Sequence, residues 1–202
     1  MLLQVPAAQA ARNQDGHFLQ LSPFVGYRFG GSFEDKETEE DYDVDNSSSY
    51  GLIVNFPAQD YTEWEIYYSK QQTEIKTGGL LASQSVVDID IETLQIGGTY
   101  LVDRTDLVQP YIVATIGVTR IDPTSIDTSS DEYFAFSIGG GWKFFPSKRV
   151  GIRLDGRVLG TVIDSDTDIF CQTGPEANQC FIQNKGDMLW QFETQASVIF
   201  RF

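Results

Sequence analysis

No stretch of about 18 or more consecutive apolar residues occurs in the chain, so a transmembrane helix is excluded. Histidine occurs once, at His17, and cysteine twice, at Cys171 and Cys180. The histidine lies far in sequence from both thiols, which leaves a zinc site without its clustered ligands. Basic residues are scarce: 14 Lys and Arg against 29 Asp and Glu give a formal net charge of −15 and a pI of about 4.2. Phosphate recognition needs clustered Lys and Arg, so nucleic acid is a poor partner. The mean hydropathy of −0.21 is that of many soluble proteins. Alternating strands also average to near-neutral hydropathy, however, so this index does not separate the two classes.

Aromatic residues and glycine are abundant, with 14 Phe, 9 Tyr, 3 Trp and 18 Gly in 202 residues. Their arrangement is clearest at the C-terminus. Trp190, Phe192, Thr194, Ala196, Val198, Phe200 and Phe202 share one parity, and Leu189, Gln191, Glu193, Gln195, Ser197, Ile199 and Arg201 share the other. A transmembrane barrel requires this inside-out alternation, because its outer face meets lipid and its inner face packs a polar lumen. A soluble eight-stranded calyx would instead need the aromatic rings inside, with Glu193 and Arg201 outside.

Eight segments alternate in this way, which predicts strands at about 18–29, 49–56, 62–76, 86–102, 109–121, 133–145, 150–163 and 187–202. Pro23 has no N–H to give a ladder and predicts a bulge or irregularity in the first. Pro57-Ala58-Gln59-Asp60 and Gly78-Gly79 mark turns. In the fourth segment Val87, Ile89 and Ile91 stand on the opposite parity from Leu94, Ile96, Tyr100 and Val102. Either a bulge near Glu92 and Thr93 changes the phase, or the first half projects above the membrane with Asp88, Asp90 and Glu92 in water; the second is the reading adopted. Connections after the first, third, fifth and seventh strands are long and polar, and those after the second, fourth and sixth are tight. The fold expected is an all-β, eight-stranded antiparallel up-and-down transmembrane barrel over residues 18–202. Long connections are then extracellular, both termini periplasmic, Trp64 and Trp142 near the inner boundary and Trp190 near the outer.

The stretch Phe136-Ser137-Ile138-Gly139-Gly140-Gly141-Trp142-Lys143-Phe144-Phe145, followed by Val150-Gly151-Ile152-Arg153-Leu154-Asp155-Gly156-Arg157, joins a glycine-rich strand to a charged-lumen strand through a short turn. With the Phe200-Arg201-Phe202 end, it resembles the small outer-membrane β-barrel family that includes the OmpA transmembrane domain, OmpX and OmpW. Ser197 stands where the family's terminal signal often has Gly, and no peptidoglycan-binding domain follows. The resemblance implies the outer membrane of a Gram-negative bacterium, contact with its lipid and lipopolysaccharide, and delivery to the assembly machinery through Phe200 and Phe202. It implies a monomer without cofactors. Some barrels of this class modify lipid A with a His, a Ser and an acid. Here the only histidine precedes the first strand, so no enzyme is expected.

The interior charge network expected from parity is Arg28, Glu65, Lys143, Arg153, Asp155, Arg157, Glu193 and Arg201, with Arg157 pairing to Glu193 and Arg28 joining them across the closing strand. Such groups must pair or reach water. A bore of eight strands is only just wide enough for side chains, which favours a plug over an ion path. Two roles follow: a structural or surface-interaction barrel acting through acidic loops, or a narrow porin-like passage for small molecules, hydrophobic ones included.

Residues 1–17 read as the remnant of a signal peptide and leader, with Ala8-Gln9-Ala10 fitting a cleavage signal but most of the apolar region missing. Cys171 and Cys180 suit an oxidising compartment and predict a disulfide across the last long loop. Asp41-Tyr42-Asp43-Val44-Asp45 and Asp164-Ser165-Asp166-Thr167-Asp168 begin like calcium loops. Asn46 and Ile169 replace the required Gly, and Leu52 and Pro175 the required Glu, so the EF-hand reading fails.

Overall fold

Alternating β-branched and aromatic residues favour extended chain, and here they build strands long enough to close on themselves. The structure is a computed structural model that describes residues 19–34, 41–43, 45–81, 84–103, 105, 107–123, 131–163, 168–174, 177–183 and 188–202. The predicted leader, His17, most of the 34–45 acidic run and Asp164 to Thr167 lie outside these residues.

The strands are β1 (Gln20–Phe29), β2 (Ser32–Glu34), β3 (Asp41–Asp43), β4 (Ser47–Gln59), β5 (Thr62–Leu81), β6 (Gln84–Leu101), β7 (Val108–Pro123), β8 (Asp131–Phe144), β9 (Val150–Val162), β10 (Asp168–Gly174), β11 (Ala177–Gln183) and β12 (Met188–Arg201). Eight of them form a closed antiparallel barrel in the order β1-β12-β9-β8-β7-β6-β5-β4, while β2–β3 and β10–β11 are separate two-stranded ribbons. At the seam, Gln20 pairs with Arg201, and the Phe202 N–H donates to the Leu19 carbonyl at 3.0 Å.

Register fixes the bore. The cross-strand row leaving β1 at Gln20 runs through Asn55, Glu65, Gly97, Thr115, Ser137, Leu159 and Gln191. One step beyond the Phe29–Phe192 pair, it returns to β1 at position 30, a stagger of ten residues from position 20. Eight strands at this stagger tilt by roughly 40° and enclose a space filled by side chains.

Two local expectations change, and the irregularity expected at Pro23 takes the form of a lapse in pairing. Pairing of β1 with β12 lapses at Ser22 and Pro23 but resumes at Phe24–Ser197 without a change of register, so Pro23 costs ladder bonds and makes no bulge. Register shifts fall between Pro57 and Gln59, which moves the turn to Asp60 and Tyr61, and between Lys76 and Leu81. Gly78 and Gly79 are not a turn, because β5 runs through them to Leu81.

The fourth predicted strand, β6, keeps one register against β7 from Ile89–Pro123 to Leu101–Tyr111, so no bulge occurs at Glu92 and Thr93. Parity is constant, and the chemistry on each face changes with height. Leu94, Ile96 and Tyr100 are exposed outward, whereas Ile89 and Ile91 are buried inward. The outward face turns to charge along the row Lys70, Glu92, Arg120 and Glu132 on β5 to β8. Lys70 Nζ lies 2.7 Å from Asp90 and 3.1 Å from Glu92. These bonds, that to Asp90 foremost, hold its ammonium above its ordinary range. Below the row, the outward residues of β7 from Val108 to Val118 are apolar. Ten residues of tilted strand span roughly 25 Å along the axis, the height of the apolar band in outer-membrane barrels.

Aromatic residues rim this band. Trp64 and Trp142 are exposed toward the end carrying the tight turns, and Trp190 toward the end carrying the long connections. Gly160 stands in one cross-strand row between Phe136 on β8 and Trp190 on β12. A Cβ at Gly160 would come 2.6 Å from the Phe136 ring. Without it, Phe136 and Trp190 meet edge to face across β9, with centroids 5.6 Å apart. β1 ends at Gly30 and Gly31, whose φ angles of 81° and 112° a residue with a side chain would resist.

Candidate functional site

Inward parity on every barrel strand delivers polar side chains into one narrow column. Four cations, Arg28, Lys143, Arg153 and Arg157, and four carboxylates, Glu63, Glu65, Asp155 and Glu193, are buried there among the described residues. The column is arranged in layers from the tight-turn end upward.

In the lowest layer, Lys143 Nζ donates to Glu63 Oε2 and, at 3.1 Å, to Gln20 Oε1. Gln20 Nε2 donates to the other Glu63 oxygen at 2.9 Å. Beside them, Arg201 stacks its guanidinium 3.1 Å from the Phe145 ring centroid and donates to Gln109 Oε1 at 3.2 Å.

Glu65 organises the middle layer. It accepts from Arg153 Nη2 at 2.9 Å, Arg157 Nη2 at 2.7 Å, Thr99 Oγ1 at 2.9 Å and Asn55 Nδ2 at 3.1 Å. Asp155 accepts from Arg153 Nε at 3.0 Å, Arg157 Nη2 at 3.2 Å and Gln195 Nε2 at 2.6 Å. Tyrosine rings floor these cations, with Tyr111 4.7 Å from Arg153 and Tyr67 4.6 Å from Arg157.

In the next layer Glu193 accepts from Arg28 Nη2 at 3.1 Å, Ser49 Oγ at 2.5 Å and Tyr67 Oη at 2.5 Å. Phe24, Ile53, Tyr67 and Leu159 form an apolar cluster in the same column. Toward the long-connection end apolar residues join the inward face, with Ile89, Ile91, Ile121, Ile163 and Leu189 buried beside Gln71, Thr73 and Gln191. At that end a cavity of about 590 Å³ is lined by residues that include Asp45, Ser47, Thr73, Asp88 and Asp90.

The expected residues Arg28, Glu65, Lys143, Arg153, Asp155, Arg157 and Glu193 therefore lie in the lumen, and Arg201, half-buried, stands beside the lowest layer. One pairing is corrected. Arg157 and Glu193 are register partners, as their heights suggested, but Arg157 bonds Glu65 and Asp155 while Glu193 bonds Arg28. An arginine side chain is long enough to cross a bore this narrow, so its partner is chosen by charge across the lumen and not by Cα proximity. Glu63, Ser49, Asn55 and the Tyr67 hydroxyl were missed as members. Glu63 and Tyr67 share the inward parity of Glu65, but nothing local in sequence says which polar groups converge.

The arrangement is a packed plug: its four buried cations and four buried carboxylates balance, and tyrosine, serine, threonine and amide side chains add bonds to them. Among the described residues, no group of three or more His, Cys, Asp or Glu could hold a metal ion. In the β10–β11 ribbon, Cys171 and Cys180 are backbone register partners. Phe200 and Phe202 are exposed at the tight-turn end of the wall.

A family model described as an outer membrane protein β-barrel domain matches residues 1–201. The crystal structure of Neisserial surface protein A is similar in fold, with a TM-score of 0.62 and 11% identity, covering 91% of this chain and 97% of that one. The crystal structure of outer membrane protein OprG from Pseudomonas aeruginosa gives a TM-score of 0.60 and 12% identity, covering 94% and 99%. The solid-state NMR structure of outer membrane protein AlkL in DMPC lipid bilayers gives 0.51 and 16%, covering 100% and 97%. At these identities the likeness is one of fold alone. No curated protein matches in sequence.

Proposed function

The chain belongs to the outer membrane protein β-barrel domain family, and from that premise we propose that it is a non-conducting barrel whose long acidic connections make its contacts at the cell surface. The observation that carries this reading is the sealed column: four cations and four carboxylates, all buried, bond one another across the bore. Moving an ion through it would require breaking buried pairs at a cost of about 3–5 kcal/mol each. Loops held on a rigid scaffold commonly carry binding, which gives the connections their role.

In this reading the long connections face outward and both termini lie in the periplasm, as short periplasmic turns and longer extracellular loops require in this architecture. The apolar band meets outer-membrane lipid and lipopolysaccharide, and the Phe200-Arg201-Phe202 end is presented to the assembly machinery. Cys171 and Cys180 close a disulfide across the β10–β11 ribbon, for which their opposed register is suitable. Such a bond would stabilise the connection by roughly 2–3 kcal/mol. Thiol alkylation of intact cells followed by mass measurement should leave both cysteines unlabelled before reduction; labelling of both would remove the staple.

A second reading is a narrow passage for small apolar molecules, favoured by the upper lumen, where Ile89, Ile91, Ile121, Ile163 and Leu189 stand among uncharged polar side chains in place of the ionic layers. Conductance of the purified protein in planar bilayers bears on both. Silence is expected of the sealed barrel, and sustained single-channel steps would overturn it.

A further inference from the structure

Asp155 Oδ2 is the meeting point of two side chains from adjacent strands, receiving Gln195 Nε2 at 2.6 Å and Arg157 Nη2 at 3.2 Å. Each of those side chains still holds unused hydrogen-bonding capacity. Among the described residues, Arg157 Nε and Nη1 and Gln195 Oε1 have no partner, although Arg157 is 2% exposed and Gln195 6% exposed. Leaving such groups bare costs about 1–3 kcal/mol each. Both are pinned where they are: Arg157 by Glu65 at 2.7 Å and the Tyr67 ring at 4.6 Å, Gln195 by its short bond to Asp155.

A ligand here must accept from a guanidinium and donate to an amide oxygen. An anion does only the first and a metal cation does neither, whereas water does both. The column also contains equal numbers of buried cations and carboxylates, so no counter-ion is called for. We propose that Arg157 and Gln195, beside Asp155, form an internal water site, so that the middle layer of the plug is hydrated. Polar niches with two to four partners are where buried water is found in proteins.

The test is water-to-protein magnetisation transfer by NMR on the full chain in lipid nanodiscs, read at Arg157 Nε–H and the Gln195 side-chain amide. The expected result is a cross peak at both with the sign of a long-lived bound water, and its loss at Arg157 in Gln195→Leu. Wall amides from Ile112 to Val118 should keep their positions in that variant. Absence of the Arg157 cross peak in the unaltered protein overturns the proposal whether or not the variant folds, as does its persistence in Gln195→Leu. Replacing chloride with a bulky anion should leave the Arg157 resonance unmoved; a shift would mean an anion occupies the niche instead.

Discussion

Gly160 matters because of what stands on either side of it. With a Cβ, the Phe136 ring 2.6 Å away would have to leave its edge-to-face contact with Trp190. Gly160→Val should therefore lower stability by about 1–3 kcal/mol, the usual cost of overpacking, in urea unfolding from lipid vesicles. Gly156 is the internal control, since a Cβ there meets nothing within 4 Å. Glu65 holds the opposite kind of position, an acceptor shared by two guanidinium groups. Glu65→Gln leaves a net positive charge in the bore and should cost roughly 3 kcal/mol or more in the same assay. An effect within about 0.5 kcal/mol, the range of an ordinary surface change, would mean that the layer does not hold the barrel together. Which residues face inward was readable from parity alone. That Arg157 passes over its neighbour Glu193 to reach Glu65 was not, because partner choice depends on the bore's width and on every other charge in it.

Strands were legible where alternation is uninterrupted, as in β12, whose burial alternates without a break from Met188 to Phe200. They were misread where a residue with strong turn preference sits in a long hairpin. Gly78 and Gly79 look like a turn, and they do interrupt the ladder: β5–β6 pairing lapses after Lys76–Val86 and resumes at Leu81–Gln84 with a shifted register, so the glycines mark an irregularity inside β5 and the strand continues to Leu81. β6 teaches the converse. Its two halves seem out of phase because the surroundings change from lipid to water partway along, so apolar residues mark the outward face below Glu92 and the inward face above it. The charge row from Lys70 to Glu132 marks that change on four adjacent strands. Pro57 and Pro23 were told apart only by register, since both lack the N–H and only one accompanies a bulge.

For the whole molecule, the four buried cations and four buried carboxylates of the lumen cancel, so the acidic excess of the chain lies outside that column. The barrel thus has a neutral plug, an apolar girdle and an acidic rim, three zones that one alternating pattern read along its length can encode. The central claim is that the apolar parity meets acyl chains and the polar parity is enclosed. It is tested most directly by single spin labels placed along β7 from Val108 to Asp122 in a variant with Cys171→Ser and Cys180→Ser, reconstituted in lipid. Oxygen accessibility should peak at Ile112, Ala114, Ile116 and Val118, with water-soluble nickel reagent reaching the outward face only from Arg120 upward, and Val113, Thr115 and Thr119 shielded from both. Nickel access at Ile112 to Val118, or oxygen access that fails to alternate along the strand, would contradict it.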